Sequence, residues 1–201
     1  MEITPTRSAL LESRDERLVM REGYRFLDEK RLLLASEIIH QFNRHQELHA
    51  RYQSRHGQAV AALGDAVSLH GLHGLQVTPV APDQTARISR QERMFFGVLL
   101  VDEPVFEPGD PAVISEAIYP SFEKKQCSAA FSALLTASVA LAAISGNLHR
   151  LMEEYQRTER RARALEDVIL PELDEAIHEM EIRLEELEQE EAVRVRLGRT
   201  T

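Results

Sequence analysis

Tryptophan is absent from this 201-residue chain, and aromatic residues together make up only 5% of it. Compact enzyme-like cores draw heavily on large rings, so an ordinary globular enzyme is disfavoured from the start. Cys127 stands alone, which excludes an intrachain disulfide framework and fits a reducing compartment. Its neighbours are Ala and Ser rather than a base, so it reads as a small buried hydrophobe. Basic residues are in the minority, 24 against 33 acids, for a net charge of −9. That disfavours broad, sequence-independent nucleic-acid binding, which requires a basic surface. Met1–Pro5 lacks the basic-then-apolar layout of a signal peptide. Proline is missing from Thr6 to Arg55, and Gly23 is the only glycine there. Catalytic signatures are missing too: no Gly-rich loop ending in Gly-Lys-Ser/Thr, no Gly-x-Ser-x-Gly elbow, no Cys-x-x-Cys and no His-Glu-x-x-His.

What is present is helix. Pro5 after Thr4 suits a helix start, because proline has no N–H to lose at that position. Apolar residues then recur by sevens at Leu11, Leu18, Leu32 and Ile39, with a second row at Leu27, Leu34 and Leu48. This is the coiled-coil period. One helix is expected from about Pro5 to about Val67, roughly 90 Å long at 1.5 Å per residue.

The middle differs. Six of the eight prolines fall between Pro79 and Pro120. Ala86–Arg90 alternates, and Phe95–Val101 is apolar and β-prone, with Pro104 closing it. Two such runs around a polar turn predict a β-hairpin, followed by a loop marked by Pro108, Gly109 and Pro111.

Helix is expected again from about Tyr119 or Ser121 to about Arg196. Its first part, Gln126–His149, has no Asp, Glu, Lys or Arg and is rich in Ala and Ser. It reads as a helix packed closely through small side chains rather than a membrane span, since its polar residues are too many and its leucines too few. The apolar row that follows includes Leu165, Ile169, Leu173, Ile177, Met180, Leu184 and Leu187. Three successive steps of four between Leu165 and Ile177 form a stutter, which locally unwinds a left-handed supercoil. Pro171 lies inside it, removes a bond to the carbonyl of Asp167, and is expected to distort the helix.

Two long helices flanking a hairpin imply an antiparallel pair. Charge agrees: Arg7, Arg14 and Arg21 repeat by sevens, while Glu166–Glu191 carries twelve acids and one base, Arg183. Antiparallel pairing sets those arginines beside the acidic end. The fold class is therefore mainly α, a long antiparallel two-helix coiled coil. Residues 5–70 form the N-terminal helix, 71–120 a middle region with a β-hairpin, 121–196 the C-terminal helix and 197–201 a flexible tail.

Histidine offers one alternative. His45 and His49 share a helix face, and Glu37/His40 and Glu175/His178 match the Glu-x-x-His pairs of di-iron bundles. Such bundles also need inward acids on their other helices. Gln126–His149 offers none, so no metal and no cofactor are expected.

Arg160–Pro171, continuing through Ile177, Glu181, Arg183–Glu186 and Glu190–Glu191, resembles the C-terminal helix of the D subunit of V-type (archaeal/vacuolar-type) ATPases and ATP synthases. Pro5–Arg7 with Leu11 and Leu18 is similar to that family's opening, and Gly23–Arg31 to the stretch after it. Gly97 and Pro104 match its hairpin core, while Arg163 stands where the family commonly has Asn. The resemblance implies a non-catalytic central-stalk rotor. Its helix pair inserts into a ring of A and B subunits, and the F subunit binds alongside. The C subunit, called the d subunit in eukaryotes, joins it to the membrane ring carrying H⁺ or Na⁺. The resemblance also implies a cytoplasmic, membrane-peripheral location; the composition, as above, leads to the expectation of no span and no nucleic-acid partner. An asymmetric axle inside a three-fold ring contacts the three catalytic pairs differently. It thereby biases them towards different conformations. A free-standing coiled-coil scaffold and a metal-binding helical bundle are the competing readings.

Overall fold

The computed structural model describes residues 6–76, 87–107 and 121–198. Pro5, Ala86, the loop at Pro108, Gly109 and Pro111, the helix start expected at Tyr119 and the tail beyond Gly198 lie outside the described residues. The elements run α1 (Arg7–Gln76), β1 (Arg87–Phe95), β2 (Val98–Glu107), α2 (Phe122–Ala164), a π-helical turn (Leu165–Ile169) and α3 (Leu170–Gly198). Two compact units emerge: residues 1–34 with 155–201, and residues 35–154.

Both helical runs begin on a hydroxyl cap. Thr6 Oγ1 accepts the Ala9 N–H at 3.1 Å, and Ser121 Oγ accepts the Lys124 N–H at 3.2 Å. Each satisfies a donor that the first helical turn leaves unpaired. The far end of α1 is set by Gly71, whose φ of 67° and ψ of 164° break the helical path. A left-handed φ favours glycine because it has no Cβ to clash. The short turn beyond ends where Lys124 Nζ donates to the Gly74 carbonyl at 3.0 Å, a cation on a helix C-terminus.

In the first unit, the amino-terminal part of α1 lies antiparallel to α3. Half-buried or buried positions on α1 follow steps of three and four: Leu10, Ser13, Arg17, Met20, Tyr24, Leu27, Arg31 and Leu34. Leu34 is fully buried, as is nearly all of Ala162, Ile177 and Met180 opposite. The heptad row Leu11, Leu18, Leu32 and Ile39 lies elsewhere: its members are 59–63% exposed. The row Leu27, Leu34 and Leu48 is the one that points inward. The buried stripe also takes charged residues with partners in place. Arg17 reaches Asp174 at 2.9 Å, and Arg31 reaches Asp28 at 2.6 Å. A binary apolar pattern therefore marks the outer leucines as strongly as the inner ones.

In the second unit, Ala59, Ala62 and Ala66 are buried on α1, and Ile144 and Leu151 on α2. Small side chains let helical backbones approach closely, so little bulk is needed to fill the gap. Within the uncharged stretch, Thr136, Ser138 and Ser145 return their hydroxyls to carbonyls four residues back. The helical run from Phe122 contains a window with mean hydropathy 1.9, long and apolar enough by composition to cross a membrane.

The hairpin is a two-stranded antiparallel sheet. Its turn is Phe96–Gly97, with φ of 46° and 87°. Two residues at positive φ make the turn type whose twist matches that of the strands. Phe95 and Phe96 therefore end strand and begin turn, rather than extending a strand to Val101. Pro104 lies within β2, not after it. The ladder shifts there, Ser89 facing Val105 and Gln91 facing Asp102, so the residue without an N–H sits in a bulge. Along β2, Val98 and Leu100 are buried while Leu99 is exposed, the alternation of a one-sided sheet.

Two stability measurements check this arrangement. Leu34→Ala is expected to cost about 2–5 kcal/mol, and Leu32→Ala no more than about 0.5 kcal/mol, both by denaturant unfolding; equal losses would refute the register. A Cβ at Gly97 would touch nothing within 4 Å. Gly97→Ala should thus cost about 1–2 kcal/mol from backbone conformation alone.

Candidate coupling surface

Three features converge on the helix pair of the first unit. An ion-pair ladder comes first: Arg7 pairs with Glu188, Arg14 with Glu181 at 2.6 Å, and Arg21 with Asp174 at 3.7 Å. Each step of seven along α1 is matched by a step of seven back along α3. The pairs are largely exposed, so they select register and orientation more than they stabilise. The Arg7 guanidinium is held above its ordinary value by its hydrogen bond to Glu188 and the charge of that carboxylate.

The second feature is the π turn. The Leu170 N–H bonds to the Leu165 carbonyl five residues back, just before Pro171. A π turn uses more residues per turn than an α turn. Steps of four at Leu165, Ile169, Leu173 and Ile177 then drift less around the axis. Leu165, Ile169 and Leu173 are half-buried, Ile177 and Met180 buried, Leu184 half-buried and Leu187 half-exposed; Pro171 is exposed. A Cβ at Gly23 would come into ordinary contact with Leu165 Cδ1 at 4.0 Å, so α1 faces the turn at this point. Beside it the Tyr24 hydroxyl hydrogen-bonds Glu166, and that bond raises the Tyr24 pKa.

The third feature is what faces outward. Leu11, Leu18, Val19, Phe26, Leu32 and Leu33 are all exposed on α1, as are Val193, Val195 and Leu197 near the end of α3. The depressions here are shallow grooves, lined by Leu10, Arg14, Glu181 and Leu184 or by Leu187, Glu190, Arg194 and Val195. Among the described residues they bring no nucleophile, base and oxyanion donor together.

The second unit seats the hairpin. Arg93 on β1 donates to Glu37 on α1 at 2.7 Å and to Asp102 on β2 at 2.8 Å. Burial alone would lower its pKa, yet the bonds to the two carboxylates raise it. Gln41, 2% exposed, donates to the same Glu37 at 2.7 Å. Glu37 is thus committed to a structural network, and His40 is exposed. His45 and His49 stack with ring centroids 6.0 Å apart. Among the described residues no group of three or more His, Cys, Asp or Glu side chains could hold a metal ion.

Comparison with known proteins adds an independent line. A family profile for the D subunit of ATP synthase matches residues 9–198. The A-type ATP synthase D subunit of Methanopyrus kandleri is 28% identical over 97% of this chain and 84% of its own length. The V-type ATP synthase D subunit of Anaeromyxobacter dehalogenans is 32% identical over 95% of this chain and 92% of its own. One V-type ATP synthase D subunit of Treponema pallidum is 26% identical over 94% and 90%.

The Tyr24–Glu166 bond predicts an alkaline signature. The folded chain favours the protonated phenol. That contribution is fully present below the ordinary tyrosine value of about 10 and is lost as pH rises through the elevated folded value. Phenolate absorbance should show Tyr24 titrating late in the native chain and returning to its ordinary value in Glu166→Gln; an unshifted curve in that variant contradicts the assignment.

Proposed function

Because this chain belongs to the family of ATP synthase D subunits, we propose that, as a non-catalytic subunit of a rotary ATP synthase, it serves as the central-stalk rotor. In this role it couples ATP synthesis or hydrolysis in a ring of A and B subunits to H⁺ or Na⁺ movement through a membrane ring. Its further partners are the F subunit and the C (or d) subunit that links it to that ring. It works on the cytoplasmic side, peripheral to the membrane.

The observation that carries this reading is the outward face of α1. The helix pair leaves Leu11, Leu18, Val19, Phe26, Leu32 and Leu33 exposed along α1, a run of apolar side chains that suits an interaction surface. A surrounding ring covers it. The charge ladder supports the same role, since it fixes one helix against the other in rotation as well as along the axis. The pair then turns as a unit, and an asymmetric shaft in a three-fold collar biases each catalytic interface differently in turn.

In this reading residues 5–70 and 121–196 are the two limbs of the coil, 71–120 the middle region and 197–201 the tail. On the second limb Leu165, Ile169, Leu173, Ile177, Met180, Leu184 and Leu187 form the seam, distorted at Pro171. On the first limb the seam is the Leu27–Leu34–Leu48 row, and the Leu11–Leu18–Leu32 row meets the ring. The uncharged stretch of α2 is a packing surface for α1, not a span.

Affinity purification of the tagged chain from its native cells, followed by mass spectrometry, should recover A- and B-type ATPase subunits. Recovery of the chain without them overturns the proposal and leaves the scaffold reading. Leu18→Glu with Phe26→Glu should abolish that recovery while leaving the melting temperature within a few degrees, because both side chains are already exposed. Deleting residues 189–201 should lower coupled ATP synthesis more than it lowers stability.

A further inference from the structure

Neither outer edge of the two-stranded hairpin is covered by a further strand among the described residues, but the β2 edge is met by a side chain. In an antiparallel ladder, alternate residues send both the N–H and the C=O away from the partner strand. Val101, opposite Glu92, is such a residue. Its N–H donates to Asn147 Oδ1 at 2.8 Å, and its carbonyl accepts from Asn147 Nδ2 at 2.9 Å. The amide of Asn147 thus does for Val101 what the backbone of a third strand would do. Arg150 Nη2 donates to the same Oδ1 at 2.7 Å. Two donors meeting on one atom fix which end of the amide is oxygen.

Asn147 is 1% exposed and sits between Ile144 and Leu151 on the buried stripe of α2. A buried amide costs free energy unless its bonds are made, and asparagine is a weak helix former. An aliphatic side chain would suit the stripe better on both counts. What it could not do is satisfy two backbone groups on β2.

We propose that Asn147 is the positioning residue of the hairpin: a stand-in strand that closes the outer edge of β2 and fixes where the sheet sits on α2. The Arg93–Glu37 pair makes the second attachment, to α1, and is the subordinate one. It is half-exposed and ionic, so salt screens it, whereas the paired amide is shielded from both salt and water. Pairing Val101 also takes two backbone groups out of the row that another chain's strand would use. Nothing in this proposal depends on the rotor reading.

Site-resolved amide hydrogen exchange on the full chain tests it. Asn147→Leu should speed exchange at Val101 at least tenfold, with Leu34 and Ile177 in the other unit changed less than twofold. Asn147→Asp keeps an acceptor for the N–H but sets a carboxylate oxygen against the Val101 carbonyl, so its effect should lie between native and Leu. Arg93→Gln should leave Val101 within threefold of native. A role in packing alone predicts the reverse order, with Leu tolerated and Val101 still protected; that result overturns the proposal. So does an Arg93→Gln effect as large as that of Asn147→Leu. Should the Leu variant not fold, native-like protection of Val101 in Asn147→Asp is the contradicting result.

Discussion

Arg7, Arg14 and Arg21 climb α1 by sevens while Glu188, Glu181 and Asp174 descend the opposite limb by sevens. That matched spacing is the constraint on which the first unit depends. A two-helix pair has only one contact stripe per helix, and here few residues in it are fully or nearly buried: Leu34, Thr158, Ala162, Ile177 and Met180. So thin a core tolerates sliding more readily than a layered one does. Charges at a seven-residue period oppose a slip, because a shift smaller than one heptad breaks every pair at once. Each pair is weak, but register is a difference between states, and the differences add along the ladder.

The thin core also explains why polar groups enter the stripe with partners in place. Arg17, Arg31 and Tyr24 are half-buried and hydrogen-bonded. At the π turn the chain absorbs a run of four-residue steps and a proline without leaving the seam. The second unit solves a different problem, that of seating a small sheet on helices. It does so with alanines that permit close approach, an arginine bridging Glu37 and Asp102, and an asparagine that pairs with a strand. In the rotor reading proposed above, the apolar surface left on the outside is what a surrounding ring would cover.

The fold class was legible in the sequence because its strongest signals are periodic. The absence of proline over fifty residues, leucines by sevens and a charge asymmetry between the ends required an antiparallel helix pair. The family was legible through Arg160–Pro171 and Gly23–Arg31. The choice of seam on α1 was not. Leu11, Leu18, Leu32 and Ile39 form a cleaner apolar row than the stripe that is buried, which includes Ser13, Arg17, Gln41 and His45. An exposed apolar row carries the same periodicity as a core. The hairpin turn escaped because Phe96 adopts positive φ, which its residue type does not announce, and because Pro104 is accommodated in a bulge. Asn147 gave no signal, since its role depends on a strand forty-six residues away in sequence.

The rotor claim is tested most directly by watching the chain turn. In the reconstituted ATPase complex immobilised through its catalytic ring, a bead is attached through Met94→Cys, at a hairpin side chain that is 67% exposed, in a Cys127→Ser background. With ATP the account predicts stepwise rotation in one direction, in three equal steps per turn. A bead that stays fixed while the same complex hydrolyses ATP would contradict it.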